Sequence, residues 1–278
     1  VTIKTKTVIT LLNEIGFEGE ERTMSVPITY VGLSQGDVDV FLGNWMPSMK
    51  SVADKFFTDG SVIKYKANMP GAKYTLAAPT YVLDGGLKHF KDLVKYGDKL
   101  DWKIYGIEAG NDGNQIIKAM IDSDLYGMGK FKMIPSSESI MLMHVGAKVK
   151  NNEWIVFLGW APHAMNVRYD MGYLNGSTAD TFGENDGTAT VYTNLRKGFT
   201  EDNPNLGLFF KNLTFPIRMM NEAMMSMHEN KEIKHLEAGL RWVKQNPDLV
   251  KEWFKGVKTA DGKSAYPQVE TYLGSLSF

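Results

Sequence analysis

Apolar residues at Val8, Leu11, Leu12 and Ile15 recur at helical spacing and stop at Gly16, so the chain opens with an amphipathic helix. Met24 to Ile28 reads as a short strand, and Leu33-Ser34-Gln35-Gly36 as a brief helix with its stop. Val38 to Leu42 has the apolar density of a buried strand. Further strands are expected at Lys73 to Ala77, Lys103 to Ile107, Glu153 to Gly159 and Thr188 to Thr193. Helical spacing returns at Leu87 to Val94, after the Gly85-Gly86 break, and at Gln115 to Ile121, where Asn111 or Asp112 can serve as N-cap. From Leu208 to Trp253 the pattern is almost wholly helical. One face carries Met220, Met224 and Met227, and a second stripe carries Leu236, Leu240 and Val243. Strands alternating with helices predict an α/β architecture, and no repeat, low-complexity tract or Pro-rich linker divides it.

Composition narrows the function classes. Hydrophobic residues make up 43% and charged residues 23% of the 278, ordinary values for a globular chain. Lys plus Arg is 31 and Asp plus Glu is 32, a formal charge of −1 that argues against a nucleic-acid partner. A small cationic ligand needs only a local site and stays open. The chain has no cysteine, which removes disulfides, thiolate nucleophiles and Cys-type metal sites. No run of about 18 apolar residues occurs, so no membrane span is expected. Val1-Thr2-Ile3-Lys4 lacks the apolar core of a signal peptide, so the expectation is a cytosolic protein or one whose leader has been removed.

Catalytic motifs are mostly rejected. Gly256 to Gly262-Lys263-Ser264 approaches a phosphate-binding loop, but five residues separate the glycines and Asp261 would face the phosphates. No dinucleotide fingerprint follows a strand. The histidines, His89, His144, His163, His228 and His235, form no zinc-hydrolase motif, and His228 and His235 are expected to be solvated. No serine-hydrolase elbow occurs. Asp37 and Asp39 are expected to cap or hinge a buried strand. The methionine stripe is expected to fill a core. No cofactor, metal site or enzymatic activity is predicted.

Two segments share one design. Val40-Phe41-Leu42-Gly43-Asn44-Trp45-Met46-Pro47 and Ile155-Val156-Phe157-Leu158-Gly159-Trp160-Ala161-Pro162 each run a strand into a glycine, then a Trp, then a proline. In open α/β sheets, ligands bind beyond the carboxyl ends of strands. Both core packing and a ligand-facing role remain open for Trp45 and Trp160. Facing aromatics suit a quaternary ammonium, which has no N–H to donate; each desolvated ring contact contributes about 2 kcal/mol.

These segments, with Ser25 to Tyr30, Gly71 to Ala77, Ile104 to Glu108, Gly110-Asn111-Asp112-Gly113-Asn114 and the Trp242…Asn246-Pro247…Trp253 pattern, carry a resemblance over nearly the whole chain. The chain resembles the choline and glycine-betaine substrate-binding proteins of ABC importers. The resemblance implies a two-lobed periplasmic-binding-protein (Venus-flytrap, type II) fold with two hinge strands. Lobe A would comprise residues 1–70 and 188–278 and lobe B residues 71–187, with the ligand cleft between them. Trp45 would be an aromatic wall from the first lobe, Tyr74 and Trp160 walls from the second, and Asn111 a hydrogen-bond partner of the ligand hydroxyl. The bland alternatives are hinge packing for Tyr74, an N-cap for Asn111 and core for Trp160.

The implied function is delivery of choline to the permease subunits of an ABC importer from the periplasm. Glycine betaine or another betaine is the alternative ligand. An enzyme of quaternary-amine metabolism and a ligand-sensing domain are the rivals from other classes. Three departures from the family are visible. The family begins with a further strand and a turn carrying a Trp and an Asp, so a truncated sequence is expected. Asn203 stands where a relative has a disulfide cysteine. Ala161 stands where an acidic residue is usual.

Overall fold

The computed structural model describes residues 2–278. Packing divides the chain into two units. The first comprises residues 1–44, 53–70 and 191–278, and the second residues 45–52 and 71–190. Trp45 and the turn after it are therefore grouped with the second unit, although the residues on either side belong to the first.

Seven strands are present among the described residues: β1 (Val40–Met46), β2 (Val62–Pro79), β3 (Lys103–Tyr105), β4 (Lys132–Ile134), β5 (Phe157–Ala161), β6 (Met171–Tyr173) and β7 (Thr188–Arg196). Their hydrogen-bonded order is β1-β7-β2-β5-β3-β4, with β6 also pairing β2. β2 and β7 each run from one unit into the other. β5 is antiparallel to β2 and parallel to β3, which is parallel to β4, so the sheet is mixed.

In the first unit, helix Thr2–Glu14 buries Ile3, Val8, Leu11 and Leu12 as its periodicity requires. The expected strand at Met24 to Ile28 is instead the start of helix Val26–Gln35. Pro27 sits in the first turn, where its missing N–H is not needed, and Gly36 closes the helix at φ +83°. The apolar residues there marked a buried helix face, not a strand. The long helical stretch is realised as Pro204–Asn212, Ile217–Glu229, His235–Gln245 and Pro247–Trp253, with breaks before Pro216 and Pro247 and at residues 230–234, which hold no proline. Met220 is buried, and Met224 and Met227 are half-buried. His228 and His235 are exposed. Phe215 packs edge-on against Trp253 in this core, and Asp39 pairs with Arg196 at 2.6 Å.

In the second unit, Leu87, Phe90 and Leu93 are fully buried; Phe90 and Leu93, three apart, lie in a 3-10 helix, Phe90–Tyr96, and Leu87 precedes it. Strand β3 ends earlier than expected because the Asn114 side chain takes over its backbone groups. Asn114 Oδ1 accepts from Ile107 N–H at 3.0 Å and its Nδ2 donates to the Ile107 carbonyl at 2.7 Å. Helix Asp112–Asp122 follows, with Asn111 as N-cap. No described helix is long and apolar enough to cross a membrane.

Candidate functional site

Tyr74 and Trp160 are direct cross-strand partners on β2 and β5, which places both rings on one face of the sheet. The glycine before Trp160 has a structural cause: a Cβ on Gly159 would stand 2.5 Å from the Ala77 Cβ on the paired strand. Trp45 reaches the same ring from the end of β1. Its turn packs on Gly183, where a Cβ would meet Pro47 Cγ at 2.5 Å. The peptide bonds Met46–Pro47 and Ala161–Pro162 are both cis, a further parallel between the two Trp segments.

The rings gather on Tyr74. Its centroid lies 6.0 Å from Trp45 at an interplanar angle of 50°, 6.2 Å from Trp160 at 60°, and 5.8 Å from Phe182 at 83°. Tyr74 is 7% exposed and Phe182 is buried, whereas Trp45 and Trp160 are half-buried. Burial, then the nearby Asp112 charge, pushes the Tyr74 phenol well above its ordinary pKa, so it remains a neutral donor.

Asn111 joins this cluster. Its Oδ1 accepts from the Tyr74 hydroxyl at 3.0 Å and from the N–H groups of Gly113 and Asn114 at 2.8 and 3.3 Å. Those two backbone donors fix the amide orientation. Its Nδ2 donates to Asp112 Oδ1 at 3.0 Å, leaving one N–H to offer. The N-cap reading of Asn111 is thus realised, and the same side chain is bound to the central ring.

All four residues singled out from the sequence, Trp45, Tyr74, Asn111 and Trp160, therefore meet within the second unit. Sequence reasoning missed three neighbours. Phe182 lies in a loop without periodicity. His163 packs against Trp160 with ring centroids 4.7 Å apart and the planes tilted by 55°. Its Nδ1 accepts from Met165 N–H at 3.1 Å, so Nε2 carries the proton shared with Glu138 Oε1 at 3.0 Å. That hydrogen bond holds the Glu138 carboxyl below its usual range. Asp112 is 1% exposed, and burial raises its pKa. The Asn-Asp pair before a helix was the only sequence signal for it. No group of three potential metal ligands exists among the described residues.

Comparison with known proteins decides the family. Residues 2–245 match the model for the substrate-binding domain of ABC-type glycine betaine transport systems. The chain belongs to this family. The family is one of extracytoplasmic solute-binding proteins, and the chain is accordingly a substrate-binding protein of an ABC transport system and not an enzyme. It is similar to a solved ABC-transporter choline-binding protein in complex with choline: 42% identity over 99% of this chain and 94% of that one, TM-score 0.93. The glycine betaine/carnitine transport binding protein GbuC of Listeria monocytogenes is 29% identical over 62% of this chain and 54% of its own. Lactococcal OpuAC, closed on glycine betaine, shares the fold at 23% identity and TM-score 0.79, covering 91% of this chain and 96% of that one. The fold is thus that of the two-lobed periplasmic binding proteins.

Proposed function

We propose that this chain is the periplasmic receptor that delivers choline to the permease subunits of an ABC importer. The trimethylammonium group rests against Trp45, Tyr74 and Trp160, and the remaining Asn111 Nδ2–H donates to the hydroxyl oxygen. The observation that carries the reading is the convergence of two half-buried indoles on one buried phenol. A methylated cation has no N–H for carbonyls or carboxylates to accept, so ring faces are the partners left to it. Three such contacts, at about 2 kcal/mol each when desolvated, offset the dehydration and ordering that binding costs. The 42% identical neighbour, whose structure holds choline, supports the choice of ligand.

Glycine betaine is the second reading, favoured by the family's description. Its carboxylate needs donors, and the Gly113 and Asn114 N–H groups at the helix start are already taken by Asn111 Oδ1. Choline, with a hydroxyl in place of that carboxylate, asks less of the site. Calorimetric titration of the purified chain with choline and then glycine betaine tests the choice. Tighter binding of choline is expected, and tighter binding of glycine betaine would replace this reading with the second.

A further inference from the structure

Asp112 is almost completely buried, and its Oδ2 accepts no hydrogen bond. It forms no ion pair among the described residues. A buried, half-satisfied carboxylate opposes folding, and the favourable effect of negative charge on the first turn of a helix would be available equally to an exposed Asp. Its surroundings belong to the candidate site. Oδ1 accepts from Asn111 Nδ2, Asn111 in turn holds the Tyr74 hydroxyl, and the charge acts on Tyr74 directly. The Ser48 hydroxyl, in the turn after Trp45, donates to the Trp45 carbonyl at 3.1 Å. Burial raises the Asp112 pKa, against the smaller lowering effects of Ser48 and of the N–H groups of Asp112 and Gly113.

We propose that the Asp112 carboxylate is a charge-selecting element behind the ring cluster, favouring ligands of net positive charge over zwitterions and uncharged isosteres. This rests on the quaternary-amine reading above. Oδ2 is too buried to touch a ligand, so the interaction is Coulombic, acting across a buried region of low dielectric formed by the rings and the amide. Choline carries one uncompensated positive charge and gains the whole attraction. Glycine betaine carries a carboxylate a few ångströms from its ammonium, so attraction at one end is offset by repulsion at the other. The alcohol 3,3-dimethyl-1-butanol has choline's shape without its charge and gains nothing. Asp112 therefore acts on the ratio between these ligands, whereas a purely structural residue would alter their affinities together.

The test is titration of the wild type and Asp112→Asn with choline, glycine betaine and 3,3-dimethyl-1-butanol, with folding checked by circular dichroism. The amide preserves the shape and the Asn111 contact. Choline is expected to bind the variant about tenfold more weakly or worse, with the neutral alcohol shifted less than about twofold. Equal shifts for both ligands, or none, would overturn the proposal while leaving the quaternary-amine reading in place. A wild type that binds neither choline nor glycine betaine would remove both. Should the variant not fold, the wild type alone decides: choline must bind at least about tenfold more tightly than glycine betaine, and a smaller preference overturns the charge-selecting role.

Discussion

The Tyr74 phenol donates to Asn111 Oδ1 at 3.0 Å, so the central ring of the cluster and the cap of helix Asp112–Asp122 are one mechanical unit. Removing the hydroxyl separates them. Tyr74→Phe keeps the ring and leaves Asn111 its two backbone donors, so about 1 kcal/mol of stability should be lost in urea unfolding. Choline affinity should fall by less than about fivefold in Tyr74→Phe, against about tenfold or more in Tyr74→Ala. Equal losses in the two variants would mean that the hydroxyl, and not the ring face, matters.

Trp45→Ala and Trp160→Ala should each weaken choline binding by about tenfold or more in calorimetry, because each removes one ring contact with the cation. Phenylalanine at either position should retain part of the affinity, since a smaller ring still presents a face. A variant with unchanged affinity would exclude that indole from the site.

Gly113→Ala sets two effects against each other. Alanine in a helix is normally favoured over glycine by roughly 1 kcal/mol. Here the added Cβ would clash with the Tyr74 hydroxyl and stand 2.6 Å from Leu158 Cδ2. Tyr74 is held by Asn111 and by three neighbouring rings, so overpacking at about 1–3 kcal/mol should win. The variant is expected to be less stable than the wild type in thermal unfolding, and to bind choline more weakly as Tyr74 is displaced.

Lys4 gives the first unit a pH signature. It is fully buried, donates to the Leu42 carbonyl and Asn68 Oδ1, and desolvation lowers its pKa to about 7. Between about 7 and the ordinary lysine value of 10.5, the unfolded chain therefore binds more protons than the folded one. Stability then rises with pH across that window; below it the cost of burying the charge is complete and constant. Urea unfolding at pH 7 and 9.5 should show the wild type gaining stability relative to Lys4→Met. Parallel behaviour of the two proteins would show that Lys4 keeps its ordinary pKa in the folded state.

The gathering of Trp45, Tyr74, Asn111 and Trp160 was more legible in the sequence than several of the elements around it. Glycine before and proline after each Trp flagged Trp45 and Trp160, and the structure supplies the reason at Gly159, which the paired strand crowds. Periodicity failed where one apolar run fits two states. Met24 to Ile28 alternates well enough for a strand, yet Ser25-Val26-Pro27 is a helix start, and the proline decided it. Asn114 was invisible as the residue that ends β3, because its effect depends on side-chain bonds to Ile107 that no spacing rule encodes. Phe182 and Asp112 were missed for a related reason. Each matters through what packs against it, across long sequence separations.

The central claim is that ring faces hold a methylated cation, and a crystal structure of the protein grown with choline tests it most directly. The trimethylammonium nitrogen is expected within about 6 Å of the ring centroids of Trp45, Tyr74 and Trp160. Choline found elsewhere on the molecule, with these three rings packed only against one another, would contradict it.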